Sequence, residues 1–205
     1  PFGNNSSIGT LVCAELARET GVTTLLAGDG GDEIFGGNER YRTDQVFARY
    51  QRIPGILRHA LLEPVLLGFP GNLPGPLGKA QKYIRRANLP NPRRFYSYEF
   101  FFARDGREHL DPGFLSHVET DAPHRLLERH FERASATQEL NRLMYLDLKL
   151  TIGDNDLLKV TRTSEMAGVN VRFPLLDLEL TEFTASWPVS FKLRGLEKRV
   201  LFRQA

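Results

Sequence analysis

Gly28-Asp29-Gly30-Gly31-Asp32-Glu33-Ile34-Phe35-Gly36-Gly37 follows directly on the apolar run Val22 to Ala27. The run reads as a buried strand, and the ten residues behind it set five glycines and three acids at its carboxyl end. Glycine lets the backbone take positive φ and approach a ligand closely. Carboxylates three positions apart in such a turn can share a hard cation, and hard cations commonly bridge phosphate oxygens. The stretch therefore reads as a site for Mg²⁺ and a polyphosphate, against the plainer reading of Gly/Asp turn chemistry. Three common motifs do not fit. Gly28-x-Gly30-x-x-Glu33 lacks the third glycine of the dinucleotide fingerprint, no Gly-Lys-Ser/Thr follows as a P-loop requires, and an EF-hand loop counted from Asp29 places Arg40 where its bidentate Glu belongs.

Around this turn the pattern is that of an α/β protein. Ser6 or Ser7 is placed to cap a helix with Ile8, Leu11, Val12 and Leu16 on one face, ending near Gly21. The strand, the acidic turn and a second helix over 39–52 follow. Helix, strand, glycine-rich turn and helix form the unit of a doubly wound parallel sheet, where ligands bind beyond the carboxyl ends of the strands. Residues 53–92, rich in proline and glycine, read as an irregular connector flanked by short helices. Residues 93–205 read as mostly helical, with helices expected over 121–134, 137–151, 154–167 and 178–187. The second last of these is closed by Gly168, and Arg172-Phe173-Pro174 cannot continue it.

Composition narrows the class. The chain of 205 residues is 41% hydrophobic and 25% charged with a net charge of +2, enough to bury a core and too balanced to argue for nucleic acid or a membrane surface. No apolar run reaches the roughly 18 residues a bilayer span needs. The lone Cys13 excludes an internal disulfide, suits a reducing cytoplasm and reads as a core thiol. Phe95, Tyr96, Tyr98 and Phe100 to Phe102 read as packing, since no basic stripe accompanies them. The five histidines show no metal-ligand spacing. Lys159 and Arg162, three apart on one helical face, can each anchor a phosphate or serve as ordinary surface cations. Lys192, Arg194, Lys198, Arg199 and Arg203 form a basic cluster near the end, a solvated tail unless it faces the acidic turn.

The string Leu26-Ala-Gly-Asp-Gly-Gly-Asp-Glu-Ile-Phe-Gly-Gly-Asn-Glu-Arg-Tyr41 resembles the signature Ser-Gly-Glu-Gly-Gly-Asp-Glu-Leu-Phe-Gly-Gly-Tyr-x-Arg-Tyr of glutamine-hydrolysing asparagine synthetases. Farther on, Asp156-Leu-Leu-Lys-Val-Thr-Arg-Thr-Ser164 and Val171-Arg-Phe-Pro-Leu-Leu-Asp177 look like the family's Asp-Leu-Leu-x-Lys-Val-Asp-Arg-x-Ser and Val-Arg-x-Pro-Phe-Leu-Asp. A third segment, Lys192 to Arg203, is similar to the one in which the family carries its active-site lysine.

The resemblance implies part of a parallel-sheet domain of the adenine-nucleotide α-hydrolase-like (PP-loop ATPase) class, with a mostly helical C-terminal part. The whole of 1–205 is then a C-terminal fragment of one synthetase domain, divided at 1–52, 53–92 and 93–205. It implies an ATP-dependent ligase that adenylates aspartate and then admits ammonia, giving asparagine, AMP and pyrophosphate. The implied cofactors are ATP and Mg²⁺, and the implied location is cytoplasmic. The implied partners are small-molecule substrates, an upstream glutaminase domain that releases ammonia from glutamine, an upstream pyrophosphate-loop segment, and a second copy of the chain; neither nucleic acid nor membrane is implied. By position Asp32 is the magnesium ligand and Asp29 stands close to substrate and pyrophosphate. Ala27, Gly28, Gly30 and Gly31, with Lys159 and Arg162, contact the nucleotide or pyrophosphate. The departures are Ala27 for serine, Asp29 for glutamate, Asn38 for tyrosine and Thr161 for aspartate. Aligning the final Arg203 also puts Arg199 on the lysine position with Lys198 one residue early, which on a helix would point the two about 100° apart. Three functions follow: the aspartate ligase, a nucleotide-binding relative without turnover, and an adenylating enzyme for another carboxylate.

Overall fold

The computed structural model describes residues 5–69, 71, 73–98 and 109–205. The chain divides into two compact units, one of residues 1–38 with 136–205 and one of residues 39–135. Phe100 to Phe102 lie outside the described residues.

In the first unit α1 (Ser6–Glu19) leads through Gly21, at φ +80, into β1 (Thr24–Leu26), and the short α2 (Gly31–Phe35) follows the acidic turn. β1 pairs in parallel with β2 (Asn170–Arg172), with Leu25 opposite Val171. α1 packs on the helical stretch Leu157–Ala167 through small residues: Ala14 and Ala167 are almost fully buried, with Leu11 and Leu25 against them. Small side chains let the two backbones come close.

This arrangement corrects several expectations. The strand, read on its own as buried, is three residues long and open, with Leu26 75% exposed, as a fragment's truncated sheet would be: among the described residues it pairs on one side only. α1 turns its alanines inward, so Ile8, Val12 and Leu16 are exposed and Cys13 is a surface thiol, not core. Its cap position is Asn5, without a side-chain bond, rather than Ser6 or Ser7. The helices expected over 137–151 and 154–167 are one continuous run: Glu139–Asp147 passes into a π-helical stretch, Leu148–Asp156, and on into Leu157–Ala167. It ends at Gly168, in the left-handed region at φ +73, as the sequence indicates.

After β2 a 3₁₀ turn, Pro174–Leu176, leads to the helix Leu178–Ala185, whose N-cap Asp177 accepts a bond from the Leu180 N–H at 3.0 Å. The C-terminal segment is not the expected helix. A turn of helix, Val189–Lys192, runs into a two-residue antiparallel hairpin in which Leu193 faces Lys198, so the helical separation of about 100° does not describe Lys198 and Arg199. The glycine at the hairpin turn, Gly195, is at φ +63 and drives the reversal.

In the second unit α3 (Glu39–Gln51) buries Tyr41, Asp44, Phe47 and Tyr50 on one face. The stretch expected to be irregular is largely helical. Gly55–Leu57, the π-helical Arg58–Leu62 and Glu63–Leu67 run on continuously, and Gly75–Ala87 packs Ile84 and Ala87 against Phe47 and Tyr50. The prolines explain part of the misreading: Pro54 immediately precedes one helical run and Pro76 falls in the first turn of another, where a missing N–H costs nothing, while Pro64 stands inside the continuous run just past its π-helical stretch. Arg93–Tyr96, Pro112–His117 and Ala122–Arg133 complete the unit. No helix among the described residues is long and apolar enough to cross a membrane.

Candidate active site

Gly30, Gly36 and Gly37 shape the acidic turn. Gly30 is at φ +88, and a Cβ there would meet Leu176 Cδ2 at 2.1 Å, so the 3₁₀ turn of Pro174–Leu176 packs directly on the bare backbone. Gly36, at φ +73, ends α2 against the backbone of Lys192, and the Gly37 N–H bonds back to the Asp32 carbonyl at 2.8 Å. A cavity of about 520 Å³ opens over this turn. Gly28, Asp29, Gly30, Gly31, Asp32 and Glu33 form one wall, and Thr151, Ile152 and Asp156 from the π-helical stretch form another. Arg199, Phe202 and Leu175 close it, with Phe202 stacked on Phe35 at 4.5 Å between ring centroids.

Arg199 donates from Nη2 to Asp32 Oδ1. The pair rests against Gly37, where a Cβ would stand 2.1 Å from Asp32 Oδ1 and 2.2 Å from Arg199 Nε, so only glycine leaves room for it. Arg199 itself sits at φ +53, uncommon for a residue with a side chain. The backbone holds it there: the Val200 N–H bonds the Lys192 carbonyl at 3.3 Å and the Leu201 N–H bonds that of Phe191 at 2.8 Å. Lys192 is 3% exposed, donates to Asn141 Oδ1 at 2.9 Å, and burial pulls its ammonium down to about 8.

Opposite, Lys159, nearly buried, donates to Asp156 Oδ1 at 2.7 Å. Burial, and then the charge of Asp156, push the Asp29 carboxyl above its ordinary range, partly offset by a backbone hydrogen bond and by Lys159. Acids thus crowd a half-buried floor, which raises the cost of leaving them ionised without a cation.

The structure brings together Gly28, Asp29, Gly30, Gly31, Asp32 and Arg199 around the cavity and reaches Lys159 through Asp156. Lys198, on the hairpin strand, is not among the lining residues, and neither is Ala27, whose N–H extends the parallel ladder to the Arg172 carbonyl at 2.8 Å. Arg162 faces outward and pairs with Glu165. Asp156, Thr151 and Phe202 received no role from sequence; Asp156 stood inside a recognised string, and only the fold shows that it turns toward Asp29. Among the described residues no group of three or more His, Cys, Asp or Glu is placed to hold a metal. A Mg²⁺ here would rest on Asp32 and on phosphate oxygens, the sparse protein coordination that magnesium tolerates.

Comparison with known proteins gives the family. The asparagine synthase family model matches residues 1–205. The chain is 24% identical over 206 residues to asparagine synthetase (glutamine-hydrolyzing) 1 of Bacillus subtilis (strain 168), covering 100% of this chain and 31% of that protein. It is 22% identical over 211 residues to a protein provisionally named asparagine synthetase (glutamine-hydrolyzing) from Mycobacterium bovis, covering 100% of this chain and 30% of that one. A similarly named protein of Methanocaldococcus jannaschii is 40% identical over 58 residues, 28% of this chain and 11% of that protein. No solved structure gives a significant match. The chain thus spans under a third of the curated relatives it matches over its full length. The chain belongs to the asparagine synthase family.

Proposed function

We propose that this chain supplies the acidic and cationic half of the adenylating site of an ATP-dependent amide ligase that converts aspartate to asparagine. The carrying observation is that one cavity joins the glycine-rich acidic turn, the Asp156 stretch and Arg199, three segments far apart in sequence. The sheet context is that of a PP-loop ATPase-like domain, with its remaining strands and phosphate loop supplied by the rest of the protein, as is the glutaminase domain.

A free carboxylate has a poor leaving group, so the substrate carboxylate attacks the α-phosphorus of ATP, pyrophosphate departs, and the acyl-adenylate is opened by ammonia with loss of AMP. The glycines of 28–31 let phosphate oxygens approach the backbone closely. Arg199 spreads the charge that develops on the departing oxygens, and Asp32 holds that guanidinium at the cavity until then. Lys159, fixed by Asp156, adds a positive field beside Asp29. Asp32 would be the residue to hold Mg²⁺, which would supply charge neutralisation for the departing pyrophosphate.

The test is ATP/pyrophosphate exchange in the intact protein, with and without aspartate. Wild type is expected to exchange with aspartate, and Asp32→Asn to abolish the exchange; retained exchange in the variant places the metal elsewhere. A second reading, nucleotide binding without turnover, draws on the Arg199–Asp32 pair, which occupies the carboxylate the metal would use. It predicts ATP binding and no exchange with any acceptor. Exchange only with another carboxylate would identify a different amidation.

A further inference from the structure

Lys192 stands behind the Arg199–Asp32 pair and touches the supports of both partners. On the Asp32 side α2 ends at Gly36, where a Cβ would meet Lys192 Cβ at 3.0 Å and the Lys192 carbonyl oxygen at 3.1 Å, so the end of that helix rests on Lys192. On the Arg199 side the Lys192 carbonyl accepts from the Val200 N–H at 3.3 Å, directly after the residue whose φ of +53 aims the guanidinium.

The side chain adds a third hold. Lys192 Nζ donates to Asn141 Oδ1 at 2.9 Å, and the Val189 N–H donates to Gln138 Oε1 at 3.3 Å. Two side-chain amides at the start of the helix Glu139–Asp147 thus grip both ends of the turn Val189–Lys192. That helix runs on into Leu148–Asp156, which supplies Thr151, Ile152 and Asp156 to the other wall of the cavity. Packing alone does not ask for a lysine here. Lys192 is almost fully buried, its acceptor is a neutral amide, and burial lowers its ammonium to about 8, so the charge costs stability that an apolar chain of like length would not. An apolar chain would fill the space without specifying where along the helix the turn docks, whereas a hydrogen bond to one amide does specify it.

We propose that Lys192 is a positioning residue for Arg199: its bond to Asn141 sets the register of the C-terminal turn and hairpin against α2, and so places the guanidinium on Asp32 at the cavity. The consequence for turnover rests on the adenylating role proposed for Arg199; the placement does not.

The intact protein is compared with Lys192→Met, Arg199→Ala, the double variant and Asp32→Asn in two readouts. The first needs no turnover: the rate at which phenylglyoxal modifies Arg199, located by mass spectrometry and normalised to Arg203. Asp32→Asn gives the rate for a guanidinium without its partner, and Lys192→Met is expected to rise most of the way to it. The second is ATP/pyrophosphate exchange, which Lys192→Met is expected to slow on the order of 10- to 10²-fold through misplacement. In the Arg199→Ala background the same change is expected to add nothing, because both variants remove one and the same contact. Lys192→Met is expected to melt no lower than wild type at pH 7, which separates the loss from unfolding. Unchanged labelling of Arg199 in Lys192→Met overturns the proposal, and so does a loss of exchange as large without Arg199 as with it. A protein that exchanges with no carboxylate overturns the adenylating role alone, and the labelling then decides on Lys192. If Lys192→Met fails to melt cooperatively, Asn141→Ala, which removes the acceptor instead, takes its place with the same expected rise in labelling.

Discussion

Arg199 is held at a left-handed φ with its side chain on Asp32, and the backbone bonds at Val200 and Leu201 keep it there. Such a conformation costs on the order of 1 kcal/mol for a residue with a side chain, so its retention points to a use for the guanidinium. In the intact protein Arg199→Ala is expected to slow ATP/pyrophosphate exchange by about 10²–10³. Lys198→Ala is expected to leave the rate within a few-fold, and the reversed order would assign the role to Lys198. Gly37 belongs to the same apparatus. A methyl group there meets only the ends of two flexible side chains, so Gly37→Ala should melt near wild type while exchange falls on the order of 10²-fold through misplacement. Equal activity of that variant would show that the ion pair need not rest against Gly37. Sequence makes the acids and Arg199 visible as residue types. What it hides is the seat, since Gly37 in a Gly-Gly pair looks like ordinary turn chemistry until the two side chains are seen against it.

The elements owe their ends to a few side chains. Asp177 both closes the 3₁₀ turn that backs Gly30 and caps the helix Leu178–Ala185. Loss of an N-cap of this kind costs about 1 kcal/mol, so Asp177→Ala should lower the melting midpoint by roughly 2–4 °C in a chain of this size. A larger fall would mean that the turn under Gly30 unravels as well. Gly168, Pro174 and the helix after Asp177 were legible because each is local stereochemistry: a positive φ, a forbidden residue before proline, a carboxylate before a helical pattern. Residues 53–92 were misread because a count of prolines does not say where they stand: Pro54 and Pro76 sit at helix starts, and Pro64 is accommodated inside a run beside a π-helical stretch. The C-terminal hairpin was missed for a tertiary reason, the pairing of 200 and 201 back onto 191 and 192.

Across the whole molecule, the α/β character and the site at a strand's carboxyl end follow from the pattern around 22–37. The membership of Asp156 and Thr151 does not, because sequence spacing cannot say which face of a long helix looks at a loop over a hundred residues away, and that of Phe202 depends on the turn after the C-terminal hairpin. The stability of the chain carries a mark of the same packing. Lys192 is pulled from 10.5 to about 8 by burial, so between those values the unfolded chain binds more protons than the folded one. Stability must therefore rise with pH across about 8 to 10, and the ammonium is a cost at neutral pH. Lys192→Met is expected to melt higher than wild type at pH 7, with the gap narrowing toward pH 10. A gap that stays constant with pH would mean that packing, not charge, sets it.

The widened turns of 148–156 have a consequence for how this protein can change over time. Each residue of an α-helix advances the chain by about 100°, so where the turns are wider the helix carries more residues than its α-helical length needs. The stretch acts as slack in the coding sequence. The string from Asp156 is one residue shorter than the family pattern it resembles, and a helix with slack can absorb such a gain or loss without breaking. It does so by rotating everything on one side of the slack against everything on the other. Lineages that differ by one codon here would keep their helix and re-aim Asp156 and Lys159, a route to a new ligand that touches none of the acids in the turn.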